Sequence, residues 1–132
     1  MKRFVDTNVF VYSMTEHPKF GETAKAILER IERGEEALTS TLVLCEVSWV
    51  LEALGRQGDI KPALEKIMSY LTLHIAEFTV DDPLVGASNV APYGIDFNDG
   101  VNISVMSRFS VSEVYSNDQK HLGRVDFKLF SE

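Results

Sequence analysis

The sequence predicts an α/β fold, a three-layer α/β/α sandwich with a largely parallel central sheet. Short apolar segments of strand length alternate with longer segments whose apolar residues recur at helical spacing. Single Gly and Pro residues punctuate these segments, and there is no repeat, linker or low-complexity tract. Strands that alternate with helices are joined by right-handed crossovers, which makes the strands parallel and places helices on both faces of the sheet.

The first half of the chain is predicted to contain two strands and three helices. In order, they are a strand at Phe4-Val5, a helix that carries Ala24, Ile27, Leu28 and Ile31 and ends at Gly34, a strand at 37–39, a helix capped by Ser40 or Thr41 that runs to about Leu54, and a helix opened by Asp59 and Pro62 with an apolar stripe from Ile60 to Leu71.

The second half continues the alternation. In order, we expect a strand at 73–78, a short helix after Asp82-Pro83, a turn at 92–94, a helix after Asp96 that carries Val101, Val105 and Phe109, and strands at 111–116 and 125–130. The Phe, Tyr and Trp residues occur at spacings typical of a core, so we expect them to pack inside the domain.

The composition is that of one globular domain. At 132 residues the chain is long enough for one hydrophobic core, and we expect a single domain over residues 1–132. The apolar stretch after Lys2-Arg3 ends at Asp6, too early for a signal peptide, and no later run is long and apolar enough to cross a bilayer. The single cysteine, Cys45, cannot form an intramolecular disulfide. These features predict a cytoplasmic protein without a membrane segment.

The net charge of −7 argues against a nucleic-acid ligand, because such binding normally gains from Lys and Arg placed near phosphates. The objection weakens if several acids surround one metal site, since a bound divalent cation reverses the local field that a phosphate meets. The location of the acidic residues therefore matters more than their number.

Two of the acidic residues follow predicted strands. Asp6 comes directly after the first strand, and Asp118 follows Val114-Tyr115-Ser116 near the end of a late one. Functional groups of open α/β sheets gather beyond the carboxyl ends of the strands. If these two strands are neighbours, both carboxylates meet at one edge of the sheet.

Glu46 lies in a helix that is apolar nearly all round, which is typical of a buried helix. A charged side chain there needs a partner. The alternative is a helix glutamate that reaches solvent, which is the usual fate of a lone Glu.

Asp99 also has two interpretations. With Asp96 as the N-cap of the following helix, Asp99 occupies the third helical position, where the helix dipole favours a negative charge without any further role. We assign the capping role to Asp96 and the site role to Asp99, because the side-chain oxygen of a cap is engaged by backbone amides. The division of roles between the two is the assignment least constrained by the sequence.

A cluster of these acids implies a bound cation. Carboxylates about 4 Å apart repel by roughly 4 kcal/mol per pair at an effective dielectric constant of about 20, so without a cation they would protonate or separate. Oxygen-only ligands suit Mg²⁺ or Mn²⁺. The histidines, His17, His74 and His121, are scattered without the spacing of metal ligands.

Four segments of the chain resemble motifs of the PIN domain family, in the family's order. Phe4-Val5-Asp6-Thr7-Asn8-Val9 looks like its opening D-T-N strand, Ser40 to Val47 is similar to its S-x-x-x-x-x-E helix, Gly94 to Asp99 to its third acid, and Ser116-Asn117-Asp118 to its T/S-x-D. The chain departs from the family at Gly100-Val101-Asn102, where Ala-Leu is usual. A Gly in the first helical turn costs up to about 1 kcal/mol of stability relative to Ala.

The resemblance implies Mg²⁺- or Mn²⁺-dependent cleavage of RNA. Asp6, Glu46 and Asp99 would hold one or two ions, with Asp118 bound directly or through water. Asn8 and Ser116 would orient the ligands. Many small prokaryotic members are toxins of the VapC type, which an antitoxin protein holds inactive and which are commonly homodimers.

Two alternatives remain open at this point. A non-catalytic PIN fold could serve as an RNA- or protein-binding module, and metal-independent binding without turnover would identify it. A phosphotransfer domain with one phosphoacceptor aspartate is the other alternative, but it predicts acids bunched near the N-terminus, whereas these acids span positions 6 to 118.

Overall fold

The computed structural model of the protein describes residues 2–116. In chain order, the strands are β1 (Arg3–Val5), β2 (Ala37–Ser40), β3 (Leu73–Ala76) and β4 (Val114–Tyr115), and the α-helices are α1 (Thr7–Met14), α2 (Gly21–Glu32), α3 (Thr41–Ala53), α4 (Ile60–Met68), α5 (Asp81–Tyr93) and α6 (Phe97–Arg108). A short 3-10 helix, Gln57–Asp59, precedes α4. The predicted strand at 125–130 and Asp118 lie outside the described residues.

The sheet is parallel, as predicted. Its strand order is β3-β2-β1-β4, and Phe4 in the central strand β1 lies opposite Leu38 on one side and Val114 on the other. Right-handed crossovers put α1 to α4 on one face and the returning pair α5 and α6 on the other face. The packing agrees, since α1 contacts α2 and α3, α3 contacts α4, and α5 mainly contacts α6. The α/β prediction is confirmed.

The core lies between the sheet and these helices. Its fully buried side chains include Phe4 and Leu38 from the sheet, Phe10 and Ile27 from one helical face, and Met106 from the other. Burial of each such side chain contributes roughly 1.5–3 kcal/mol before the entropy of ordering is subtracted. Within residues 2–116, none of the helices combines the length and the apolar character needed to cross a membrane.

Helix α1 was not expected from the sequence. Its β-branched residues Thr7, Val9 and Val11 have low helix propensity, which hides the helical pattern. The helix forms because Asp6 caps it, accepting a hydrogen bond from the backbone N–H of Thr7, and because Val9 and Phe10 are fully buried. Tertiary burial here outweighs local propensity.

Several predicted bounds were also wrong. Helix α4 ends at Met68 rather than Leu71, whose side chain is fully exposed. Strand β3 ends at Ala76 instead of residue 78, and β4 contains two residues where six were expected. The helix predicted to be short after Asp82-Pro83 is α5, 13 residues long.

An ion pair between buried Asp82 and partly exposed Arg108 joins α5 to α6. The carboxylate of Asp82 accepts hydrogen bonds from Arg108 Nη2 at 2.8 Å and Nε at 3.2 Å, from Ser104 Oγ at 2.8 Å and from the backbone N–H of Thr79 at 2.8 Å. Burial alone would raise the pKa of the Asp82 carboxyl group, but these hydrogen bonds, that of Arg108 foremost, outweigh it and lower the pKa below its usual value. The ionised form is therefore the one that stabilises the fold.

Replacing Asp82 by Asn is expected to lower the free energy of unfolding at neutral pH by about 1–2 kcal/mol, because Asn removes the negative charge that Arg108 faces. The loss is modest because Arg108 is partly exposed, so water can solvate its charge in the variant. Because the folded-state pKa of Asp82 is depressed, its contribution is complete above the unfolded-state pKa and is lost as the pH falls through the folded-state value. Urea unfolding at pH 7 and at pH 3 should show the gap between wild type and variant closing at the lower pH. Asp59→Asn, which alters the exposed pair with Arg56, is the control and should change stability little at either pH. A gap that is as wide at pH 3 as at pH 7 would contradict the assignment.

Candidate active site

Asp6 lies at the point of the sheet where the direction of winding reverses. It follows β1, and its neighbour in space is the end of β4, which connects across the opposite face. Asp6 Oδ1 accepts from the backbone N–H of Thr7 at 2.9 Å, and Oδ2 accepts from Ser116 Oγ at 2.8 Å. Such reversal points are where ligands bind in open α/β sheets. The two strands that precede Asp6 and Asp118 in the sequence were expected to be neighbours, and β1 and β4 are paired. Asp118 itself lies outside the described residues.

Glu46 on α3 reaches toward the N-termini of two other helices. Its Oε1 accepts from Thr7 Oγ1 of α1 at 2.8 Å, and its Oε2 accepts from Asn98 Nδ2 of α6 at 2.9 Å. The side chain is half-buried and bound on both oxygens, so it is not a glutamate that has merely reached solvent. The expectation of a helix buried all round was wrong, since Cys45 and Trp49 are exposed.

The capping role predicted for Asp96 is confirmed. Asp96 Oδ1 accepts from the backbone N–H of Asp99 at 2.9 Å, so Asp96 is the N-cap of α6. Asp96 is exposed, whereas Asp99 is 9% exposed. Both lie at the N-terminus of α6, at the positive end of its dipole.

These acids share one cavity of about 270 Å³. It lies between the N-termini of α1 and α6 and the middle of α3, and its described lining consists of Asp6, Thr7, Asn8, Glu46, Trp49, Val50, Asp96 and Asp99. The fold therefore brings together three of the four predicted site residues from positions far apart in the chain. Among residues 2–116, no Lys, Arg or His lines this cavity, so the described lining is negative.

The donor set fits a hard divalent cation, because every candidate ligand is an oxygen. Within residues 2–116, no group of three or more Asp, Glu, His or Cys side chains is placed so that it could hold a metal ion by itself. That arrangement is compatible with Mg²⁺, which keeps several waters and is usually held by one or two carboxylates together with substrate phosphates. The ligand set predicted from the sequence is Asp6, Glu46, Asp99 and Asp118, and the first three of these line the cavity.

Three lining or supporting residues were missed in the sequence. Thr7 and Asn98 each donate to Glu46, and Trp49 lines the cavity. Thr7 and Asn98 carried a usable signal, since each stands within one residue of a predicted site acid at a helix N-terminus. Of the supporting residues predicted from the sequence, Ser116 donates a hydrogen bond to Asp6 and Asn8 lines the cavity.

Comparison with known proteins gives a family match and several structural matches. The family model described as PIN domain matches residues 3–128. The toxin VapC20 of Mycobacterium tuberculosis, described as cleaving the sarcin-ricin loop, is 18% identical with a TM-score of 0.81, and the match covers 96% of each chain. VapBC2 of Rickettsia felis, bound to a DNA fragment from its promoter, is 20% identical with a TM-score of 0.71 over 98% of this chain and 97% of that one. A toxin-antitoxin complex from Klebsiella pneumoniae is 16% identical with a TM-score of 0.66, over 90% and 88% of the two chains.

At these identities the structural matches show the fold. A search of curated proteins finds no match.

Proposed function

Because the chain belongs to the PIN domain family, we propose that it is a metal-dependent endoribonuclease whose active site is the cavity between α1, α3 and α6. The observation that carries the proposal is the convergence of Asp6, Glu46 and Asp99 on one cavity at the carboxyl edge of the sheet. A module that only binds RNA would gain nothing from this set of carboxylates, since carboxylates repel the phosphate backbone.

The proposed reaction is hydrolysis of an RNA phosphodiester. Water attacks phosphorus in line with the leaving oxygen, and the bond between phosphorus and that oxygen breaks. The proton that the water loses is transferred to the leaving oxygen. A bound Mg²⁺ or Mn²⁺ would lower the pKa of the attacking water and stabilise the charge that develops on the phosphoryl oxygens.

The described residues would keep the carboxylates in place for this step. Ser116 and the N–H of Thr7 hold the two oxygens of Asp6, and the Thr7 hydroxyl and Asn98 hold those of Glu46. Such outer hydrogen bonds orient ligands and typically contribute about 10–100-fold to metal affinity or activity. Asn8 is the remaining candidate for a supporting role, and Asp118 completes the proposed ligand set.

Removal of the metal is expected to abolish cleavage. Purified protein incubated with a fluorescently labelled single-stranded RNA should cut it in Mn²⁺ or Mg²⁺, lose the activity in excess EDTA, and recover it when Mn²⁺ is added back. A labelled DNA strand of the same sequence tests for RNA preference. Cutting that persists undiminished in EDTA would refute metal dependence, while metal-independent binding of RNA without any product would favour the non-catalytic module.

An antitoxin partner is the proposal that the structural relatives support. The Rickettsia structure contains promoter DNA, and the Klebsiella structure is a toxin-antitoxin complex. We propose that this chain is likewise the toxin of such a pair, acting in the cytoplasm as a homodimer. Co-expression with the product of the neighbouring upstream gene, followed by size-exclusion chromatography with light scattering, tests both the pairing and the oligomeric state. A chain that stays monomeric and retains full nuclease activity beside that product would contradict this role.

A further inference from the structure

Trp49 is placed where a core residue would not be. The sequence pattern suggested packing for this side chain, but it is 54% exposed and does not belong to the hydrophobic core. The core face of α3 is formed instead by Val43, Val47 and Leu51, each almost completely buried. The fold therefore does not depend on Trp49 for burial of apolar surface, and a large exposed aromatic side chain calls for another explanation.

The position of Trp49 relative to Glu46 supplies that explanation. The two residues are three positions apart on α3, a spacing that places side chains on the same face of a helix. Both line the acidic cavity, together with Val50 from the same helix. The indole ring therefore lies beside the place where an RNA phosphate would meet the carboxylates.

An aromatic ring suits this position for a chemical reason. The described lining offers no basic side chain to hold a phosphate, and the nucleotide bases, unlike the phosphates, carry no charge. Stacking of a base on an aromatic ring adds affinity without neutralising charge, and it tolerates any sequence because every base has a flat face.

We propose that Trp49 is the platform on which the base beside the scissile phosphate stacks. The inference rests on the proposed nuclease function, since it names a substrate contact of the same cavity. An exposed tryptophan could also contact a protein partner, but its place among the carboxylates favours RNA, and the experiment distinguishes the two.

The chain provides its own probe, because Trp49 is its one tryptophan. Intrinsic fluorescence is recorded on the Asp6→Asn protein while short oligoadenylate is added, and again with an abasic ribose-phosphate oligomer of the same length. Base stacking predicts quenching by oligoadenylate that is at least several times larger than that caused by the abasic oligomer. Equal quenching by the two, or none by either, overturns the proposal.

Steady-state kinetics on labelled single-stranded RNA give the second measurement. Trp49→Ala is expected to raise KM about 10-fold or more, with a smaller change in kcat, and Trp49→Phe should recover most of the loss. Leu54→Ala is the matched control, since Leu54 is equally exposed at the end of α3 and does not line the cavity. Circular dichroism and thermal unfolding verify that the variants are folded.

The outcomes separate the two proposals. If wild type cuts RNA and Trp49→Ala has an unchanged KM, the nuclease proposal stands and the stacking proposal is refuted. Contact with a protein partner is then the remaining explanation for the exposure of Trp49. If wild type cuts no RNA, the nuclease proposal fails, and the base-dependent quenching alone decides whether Trp49 stacks on RNA.

Discussion

The Asp6→Asn protein is expected to lose Mn²⁺-dependent RNA cleavage by at least about 100-fold while remaining folded. The substitution removes a ligand charge at nearly constant volume. Asn also caps helices well, so the backbone N–H of Thr7 keeps an acceptor and α1 should persist. Replacement by Ala would mix two effects, because it would remove the cap of α1 as well as the carboxylate.

The measurement is the initial rate of cleavage at saturating Mn²⁺, together with a urea unfolding curve for each protein. Asp59→Asn serves as the matched control, because Asp59 is an exposed aspartate outside the cavity. Its rate should equal that of wild type. A folded Asp6→Asn protein that cuts RNA at the wild-type rate would falsify the proposed active site.

The Gly100→Ala protein is expected to be less stable than wild type by about 2–3 kcal/mol. Helix propensity alone predicts the opposite sign, a gain of up to about 1 kcal/mol, and Ala is the residue that PIN-like sequences usually have here. The structure shows why the sign should reverse. Helices α5 and α6 approach closely at two glycines, and a Cβ built on Gly100 would collide with the carbonyl oxygen of Gly86. A backbone carbonyl cannot give way as a flexible side chain can.

Urea unfolding of Gly100→Ala and of Gly58→Ala separates the close contact from propensity. A Cβ at Gly58 would meet no atom within 4 Å, so that substitution should be neutral or slightly stabilising. Gly86→Ala should resemble Gly100→Ala, because its Cβ would lie 2.8 Å from the backbone nitrogen of Val101. Equal stability of Gly100→Ala and wild type would mean that the two helices separate at little cost.

The parts of the fold that could be predicted from sequence are those with a local cause. Strand β1 and the cap at Asp96 follow from apolar runs and from capping chemistry, and helix α3 follows from its periodicity. Asp6 was recognisable because a polar residue after an apolar strand marks the carboxyl edge of a sheet. These inferences need only neighbouring residues.

What was missed depends on contacts between distant parts of the chain. Helix α1 is stabilised by burial of Val9 and Phe10, which no local propensity records. The exposure of Trp49 was missed for the same reason, since a large apolar residue in an apolar helix is predicted to be part of the core. The close contact that requires a glycine at position 100 is made with Gly86, fourteen positions earlier in the chain, and is visible only in the folded structure.

The hydrogen bonds on Asp6 and Glu46 also determine when the site becomes ordered. Both oxygens of each carboxylate already have a protein donor, so the rotamers of these two side chains are settled as the chain folds. A flexible acidic side chain would lose that conformational entropy at the moment of binding instead, at a cost of about 0.5–1.5 kcal/mol each. In this protein that entropy is lost on folding, so the affinity of the proposed site for a metal ion would be higher, at the expense of fold stability. The site is thus preorganised by three neutral side chains and one backbone amide, none of which is itself an acid.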